Sequence, residues 1–521
     1  MRVLAVIVAS TLVASSGPAQ AAENGADAVV RTDSGPVRGT VTSSHRTFQG
    51  VPFAAPPTGE LRWRSPQPPR RWSEPRDATK PGNLCAQAFS GDPRPTDEDC
   101  LYLNVTTPAS AGHGRLKPVM LWLHGGGNSY GTAADYGAAR LAIRGDVVVV
   151  TTNFRLGVFG FLAHPALSDS GNFGLEDQQA ALRWVRRNAV AFGGDPGNVT
   201  LFGESGGAFD VCAQLTAPAA RGLFQRAIAQ SGSCATTWPA HGIVYGGSAS
   251  APWLPLTQAK ASGLAFAGRF GCAEPATAAE CLRRIPAADL AKDPETAGLT
   301  AVAFGTRVLP ENPAEMLRQG RFHRVPVIWG SNRDESRLSA AFAPQPFTEE
   351  QYRSMLDDGF GEQASQVATR YLSSTYGSPA LAWSTMATDR VWSCTQLTDD
   401  RLLARHTSVY TYEFADSQAP RGFFPFPADL PSGAYHSSEL AYVFDRAGFT
   451  EQLTPDQRRL ADRMIDYWTR FAETGNPNGP DVPLWPRFAG SRTLSLAPGD
   501  GGIRLVDLAA EHHCGFWASF R

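Results

Sequence analysis

Lysine is almost absent from this chain of 521 residues: only Lys80, Lys117, Lys260 and Lys292 occur, and the remainder of the 47 basic residues are arginine. Nor does charge of one sign accumulate. Forty-seven basic residues face 49 acidic ones, for a formal charge of −2. A basic footprint is therefore missing, and no nucleic-acid partner is expected. Long apolar runs are also scarce. The stretch Val3–Ala14 is too short for a bilayer, which needs about twenty residues, and no other segment is long and apolar enough, so no membrane anchor is expected. There is no CxxC, and neither His512-His513 nor any other histidine group has the helical spacing of metal ligands, so neither a metal site nor a cofactor is expected. With no internal repeat and no low-complexity linker, residues 22–521 read as one large domain with insertions.

What is present begins with the N-terminus. Arg2, the apolar run, the breakers Ser15, Ser16, Gly17 and Pro18, and the small-residue pattern Ala19-Gln20-Ala21 have the order of a secretory signal. Residues 1–21 are read as that signal, cleaved after Ala21. Eight cysteines in an oxidising compartment imply disulfides, although eight allow 105 pairings and spacing alone selects none. Short β-prone runs recur at Val119–Leu123, Val147–Val150, Val199–Phe202, Val325–Trp329 and Val409–Tyr412. Apolar on consecutive positions, they fit strands buried on both faces. Leu175–Ala191 between them has helical periodicity through Ala181, Leu182, Val185 and Ala189. Strands alternating with helices give an α/β fold with a large, mostly parallel twisted sheet, and chemistry is expected beyond the carboxyl ends of its strands.

Gly203-Glu204-Ser205-Gly206-Gly207 matches G-x-S-x-G, a weak pattern in so glycine-rich a chain, and Gly127-Asn128-Ser129-Tyr130-Gly131 matches it too. Context separates them. Ser205 follows a strand-like run and precedes the helix-compatible Ala208–Leu215, the strand–turn–helix of a nucleophile elbow. Upstream, Val119–Leu123 runs into His124-Gly125-Gly126-Gly127, a loop whose backbone N–H groups can converge on an oxyanion. Gly126, Gly127 and the following N–H of Gly206 are the expected donors. A serine needs a base, and the base an orienting carboxylate, in the chain order Ser–acid–His. That order sets aside His45, His113, His124 and His164. Asp334 and Glu335 both remain as acids, while His241, His323, His406, His436, His512 and His513 remain as bases.

Phe48-Gln49-Gly50-Val51-Pro52-Phe53-Ala54, Glu98-Asp99-Cys100-Leu101-Tyr102-Leu103-Asn104, Asn153-Phe154-Arg155-Leu156-Gly157 and Phe192-Gly193-Gly194-Asp195-Pro196 complete the set. With them the chain resembles the type-B carboxylesterase/cholinesterase family of α/β-hydrolases from about residue 28 to the end. The resemblance implies Glu335 as the acid, in N-x-D-E, and His436 as the base, in G-x-x-H-x-x-E-[LI]. It implies disulfides Cys85–Cys100, Cys272–Cys281 and Cys394–Cys514, leaving Cys212 and Cys234 free to pair with each other. It makes Arg62–Glu98 and Arg155–Asp177 structural ion pairs. The reaction implied is ester hydrolysis through an acyl-enzyme on Ser205, by a monomer acting on a small-molecule ester. Lipids, polyesters and amides share that chemistry, and some members of such families are non-catalytic scaffolds.

Two departures stand out. The elbow reads Glu-Ser-Gly-Gly-Ala where the family commonly has Glu-Ser-Ala-Gly-Gly. The loop Ala86–Glu98 holds only Phe89 as an aromatic, where cholinesterases carry a tryptophan for choline, so choline esters are disfavoured. Trp238, Trp253 and Trp383 remain candidates to enter the pocket from elsewhere.

Overall fold

A computed structural model describes residues 28–520 apart from 88–95, 113, 169–170, 423 and 447–448. The expected signal segment and Phe89 therefore lie outside the described residues. The main sheet has eleven strands: β1 (Thr40–Val41), β2 (His45–Pro52), β3 (Tyr102–Pro108), β4 (Lys117–Leu123), β5 (Val148–Thr152), β6 (Gly194–Glu204), β7 (Arg226–Gln230), β8 (Val327–Asn332), β9 (Val409–Phe414), β10 (Arg492–Leu496) and β11 (Ile503–Asp507). Their spatial order is β11-β10-β9-β8-β7-β6-β4-β5-β3-β2-β1. From β10 through to β5 every pairing is parallel. Only the flanks, β10–β11 and β5–β3–β2–β1, run antiparallel.

The parallel strands are buried over most of their length because both faces are covered, and the pleat divides their side chains between two cores. Val119, Leu121, Leu201, Ala227, Val327 and Val409 face one core. Met120, Trp122, Phe202, Ile228, Ile328 and Tyr410 face the other. Helices Phe173–Asn188 and Gly206–Thr216 cover the first through Leu182, Val185, Val211 and Leu215. Helices Ala139–Gly145 and Pro455–Thr474 cover the second through Leu141, Leu460, Met464, Trp468 and Phe471. The long helix is well delimited. Thr454 and Gln457 form a capping box, Pro455 occupies its first position, and Gly475 ends it in a left-handed conformation. A helical insertion between β8 and β9, including Glu349–Phe360 and Pro379–Ala387, packs its own smaller core around Trp383 and Trp517.

Boundaries moved where local chemistry hides tertiary pairing. The strand expected at Val325–Trp329 begins at Val327, after Pro326, which has no N–H for the ladder, and continues to Asn332. Gly330 looks like a turn residue, but a Cβ there would lie 2.1 Å from the Tyr412 ring, so glycine is required by a close approach inside the sheet. The helix expected over Leu175–Ala191 spans Phe173–Asn188 and ends in a tighter turn, Ala189–Phe192. All eight cysteines are paired, as Cys85–Cys100, Cys212–Cys234, Cys272–Cys281 and Cys394–Cys514. The two ion pairs are buried, Arg62–Glu98 at 2.5 Å and Arg155–Asp177 at 2.7 Å.

Candidate active site

β6 ends at Glu204 and a helix starts at Gly206, so Ser205 alone makes the turn, at φ 54° and ψ −118°. A non-glycine residue in such a conformation is strained and persists only where its surroundings over-determine it. Those surroundings are two close backbone approaches. A Cβ on Gly203 would sit 2.6 Å from the Gly207 carbonyl oxygen, and one on Gly207 would sit 2.1 Å from that of Leu123. The Ser205 N–H donates to Gln230 on the neighbouring β7 at 2.9 Å. Ser129, the other pattern match, sits in the glycine loop and donates its hydroxyl to Gly126 at 2.9 Å.

Nε2 of His436 lies 2.8 Å from Ser205 Oγ, and its Nδ1 lies 2.5 Å from Glu335 Oε2. The acid and base loops clasp one another. Asn332 N–H donates to Glu335 Oε1 at 2.7 Å, His436 N–H to the Glu335 carbonyl at 3.1 Å, and Asn332 Nδ2 to the Tyr435 carbonyl at 2.8 Å. Asp334, the alternative acid, is turned away; it accepts from Ala434 N–H and pairs with Arg337 at 2.8 Å. The alternative bases are elsewhere. His241 meets Asp358, His323 the Ala217 carbonyl and His513 Arg370, while the His406 ring lies against Gly320. His512 is held between Asp389 and Glu413.

The glycine loop reaches the same place. Gly126 and Gly127 have φ of +100° and +58°. A Cβ on Gly206 would fall 2.8 Å from the Gly127 nitrogen, so loop and elbow are in direct contact. Among the described residues, the N–H groups of Gly126, Gly127 and Gly206 donate to no other backbone group. His124, first of the loop motif, is buried against the Phe154 ring at 4.5 Å, and burial pushes its pKa down to about 4.

Several neighbours were not singled out by sequence reasoning. Glu204 Oε1 is 3.3 Å from His436 Nε2, and its other oxygen occupies the space where Gly125 would carry a Cβ. Burial pushes Glu204 up to about 8, reinforced by Glu439 and Glu335 and opposed by His436. Burial acts against the charged form of His436, but Glu335, Glu204 and Glu439 outweigh it and raise its pKa to about 9. Glu439 accepts from Gln230 and Asn332. Both glutamates were inside quoted motifs, and that was their only signal. Trp392 was not flagged at all; its ring lies 4.8 Å from the His436 ring. It comes from a π-helical turn, Thr388–Ser393, whose Thr388 hydroxyl accepts from the Ser336 N–H beside Glu335. Of the three expected tryptophans, Trp238 and Trp253 pack around Phe209, four residues after Ser205, and Phe209 in turn faces Trp392. Trp383 is fully buried, stacked against Phe347.

A sheet of this order, with a serine on a strained strand-to-helix turn, defines an α/β-hydrolase. The model of the carboxylesterase family matches residues 26–517, and the chain belongs to that family. Para-nitrobenzyl esterase of Bacillus subtilis (strain 168) is 32% identical over 491 residues, covering 88% of this chain and 92% of that protein. Fumonisin B1 esterase of Sphingopyxis macrogoltabida is 34% identical over 486 residues, covering 88% and 84%. Among solved structures, a thermophilic PNB esterase superposes with a TM-score of 0.77 at 29% identity, covering 94% of this chain and 99% of that one.

Proposed function

We propose that the protein is a serine carboxylic-ester hydrolase in which Ser205 is the nucleophile, His436 the general base and Glu335 the orienting acid. The observation that carries this reading is the hydrogen-bonded chain Ser205–His436–Glu335, at 2.8 and 2.5 Å, in a member of the carboxylesterase family. Nε2 of His436 takes the hydroxyl proton as Ser205 Oγ attacks the ester carbonyl, and Glu335 stabilises the imidazolium that forms. The developing oxyanion is received by the N–H groups of Gly126, Gly127 and Gly206. His436 returns the proton to the departing alcohol, and water activated by the same base clears the acyl-enzyme. The rings of Trp392, Phe209 and Trp238 supply apolar surface beside the base for the non-polar part of the ester.

The same reading has the chain act as a monomer, one domain from residue 22, exported after cleavage behind Ala21. Four disulfides support an oxidising compartment. No helix among the described residues is long and apolar enough to cross a membrane.

The test is hydrolysis of p-nitrophenyl esters from acetate to palmitate by the mature protein and by Ser205→Ala. Activity at short chains that vanishes in the variant is expected. A long-chain optimum moves the enzyme towards lipids. Full activity in the variant removes Ser205 as nucleophile, and no turnover by a folded parent leaves a binding scaffold.

A further inference from the structure

Asp210 is a carboxylate that the reaction above does not use. It lies on the helix Gly206–Thr216, five residues beyond Ser205, and is completely buried. Its Oδ1 accepts from Asn128 Nδ2 at 3.1 Å and its Oδ2 from Gln178 Nε2 at 2.5 Å. Gln178 is held in place in turn, its Oε1 accepting from Gln214 Nε2 at 2.9 Å, which also donates to the Leu175 carbonyl at 3.1 Å. No cation is among the groups that act on Asp210, and burial pushes its carboxyl up to about 7. A buried carboxylate without a counter-charge is costly to the fold unless its oxygens are hydrogen-bonded, and both oxygens of Asp210 are held by amide donors.

Asn128 is what those oxygens hold. It is the residue immediately after Gly127, buried, at φ +59°. Its backbone nitrogen would lie 3.0 Å from a Cβ on Gly206. The glycine loop around it contains successive residues free of side-chain constraint, and Asn128 anchors that loop at two points. Its carbonyl accepts from Gly157 N–H at 2.7 Å, and its side chain is tied to Asp210. Its Oδ1 is buried without a partner among the described residues, where the amide is oriented by Asp210 alone. One helix thus carries the nucleophile at its start and, little more than a turn later, the group that grips the loop facing it.

We propose that Asp210, acting through Asn128, is a positioning residue that holds the glycine loop against the elbow so that the Gly126 and Gly127 N–H groups stay aimed at the oxyanion. This rests on the esterase reading and adds a residue pair to it. A donor misplaced from the oxyanion weakens the transition state far more than the bound ester, because negative charge develops there only during reaction. The effect should therefore fall on kcat with KM little changed.

The experiment is a double-mutant cycle of Asn128→Gly and Asp210→Ala, with Asp210→Asn as the conservative variant. Glycine accepts the positive φ at residue 128, so the loop can keep its path while losing the tie. Each single change should lower kcat about tenfold to a hundredfold with KM within about twofold. The affinity for a trifluoromethyl ketone, which forms an oxyanion on the serine, should fall in the same ratio. The double variant should be no slower than either single one, because both remove one interaction. Asp210→Asn should regain most of the activity, since the Asn128 amide can turn its unpartnered Oδ1 to the new NH₂. If Asp210→Ala fails to fold, Asn128→Gly and Asp210→Asn carry the test. The clamp is overturned if Asn128→Gly keeps kcat within twofold of the parent, or if the two losses multiply in the double variant. A folded but inactive parent would instead overturn the esterase reading, so the two failures are separable.

Discussion

Two histidines in this molecule are built almost alike and differ in what their second ring nitrogen meets. His436 and His512 are each set between carboxylates, and each is pushed well above its ordinary pKa, to about 9 and about 10, although burial alone would lower both. At His512 both ring nitrogens are consumed by acids, Nδ1 by Asp389 at 2.6 Å and Nε2 by Glu413 at 2.5 Å. Asp389 also accepts from Tyr371, whose oxygen takes the Trp517 indole N–H, so the group fastens the C-terminal segment to the helical insertion. At His436 only Nδ1 is given to an acid at hydrogen-bonding distance; Nε2 faces a hydroxyl that can lose its proton, with Glu204 standing back at 3.3 Å. The His512 imidazole is saturated, whereas that of His436 keeps one nitrogen for a partner that can change. The carboxylates nearby are common to both and do not discriminate between them.

The sharpest way to break the comparison is to remove each ring. His436→Ala should lower kcat about ten-thousandfold or more in the protein that folds, read by steady-state kinetics and thermal unfolding on one preparation. His512→Ala should act on stability alone. Two buried carboxylates lose their counter-charge, which costs about 3–5 kcal/mol of stability, while the folded fraction keeps its kcat. The sign of the pH effect follows from the raised pKa. The His512 contribution is full below its ordinary pKa near 6.5 and is lost as the pH rises towards 10. The parent should therefore melt progressively lower across that window, and the variant should show less of this decline.

A smaller effect tests the contact between elbow and loop. Gly206→Ala restores the residue commonly found in the family, yet a Cβ there would press to 2.8 Å on the Gly127 nitrogen. It should cost about tenfold in kcat by displacing an oxyanion donor; unchanged kinetics would mean that the loop yields. The smallest effect sharpens the view of Nε2. Glu204→Gln removes a carboxylate that favours the imidazolium, so the His436 pKa should drop and the acid limb of the kcat/KM profile move to lower pH by about one unit. A limb that moved upwards would contradict the pull assigned to Glu204.

The sequence singled out His436, through a family motif, and left the bonds of His512 unread. Ser205, Glu335 and His436 were reachable because each lies in a short motif, and the first two come just after a strand. From bare chemistry, without the resemblance, Asp334 and Glu335 stood equal and six histidines remained. What separates them is the clasp of two loops across the sheet, which no local pattern encodes. The strands were legible for the same reason that they are buried: apolar residues on consecutive positions satisfy two cores at once. Trp392 and the pair Asn128–Asp210 escaped because their meaning is a contact between segments 44 residues apart in one case (Trp392 to His436) and 82 in the other. Gly330 misled for a related reason, since its lack of a side chain serves an aromatic ring on another strand and not a turn.

Two of the three groups in the Ser205–His436–Glu335 chain hang from neighbouring parts of the sheet. Ser205 follows β6 and Glu335 follows β8, with only β7 between those strands in the sheet. Neighbouring strands are spaced at about 4.8 Å, so the two anchors stand about two spacings apart, a gap that one imidazole and its two hydrogen bonds can bridge. The hydrogen-bonded ladder thus works as a ruler. The span of the Ser205–His436–Glu335 chain is set by backbone pairing between neighbouring strands, so the surrounding loops can be recut while that span is kept.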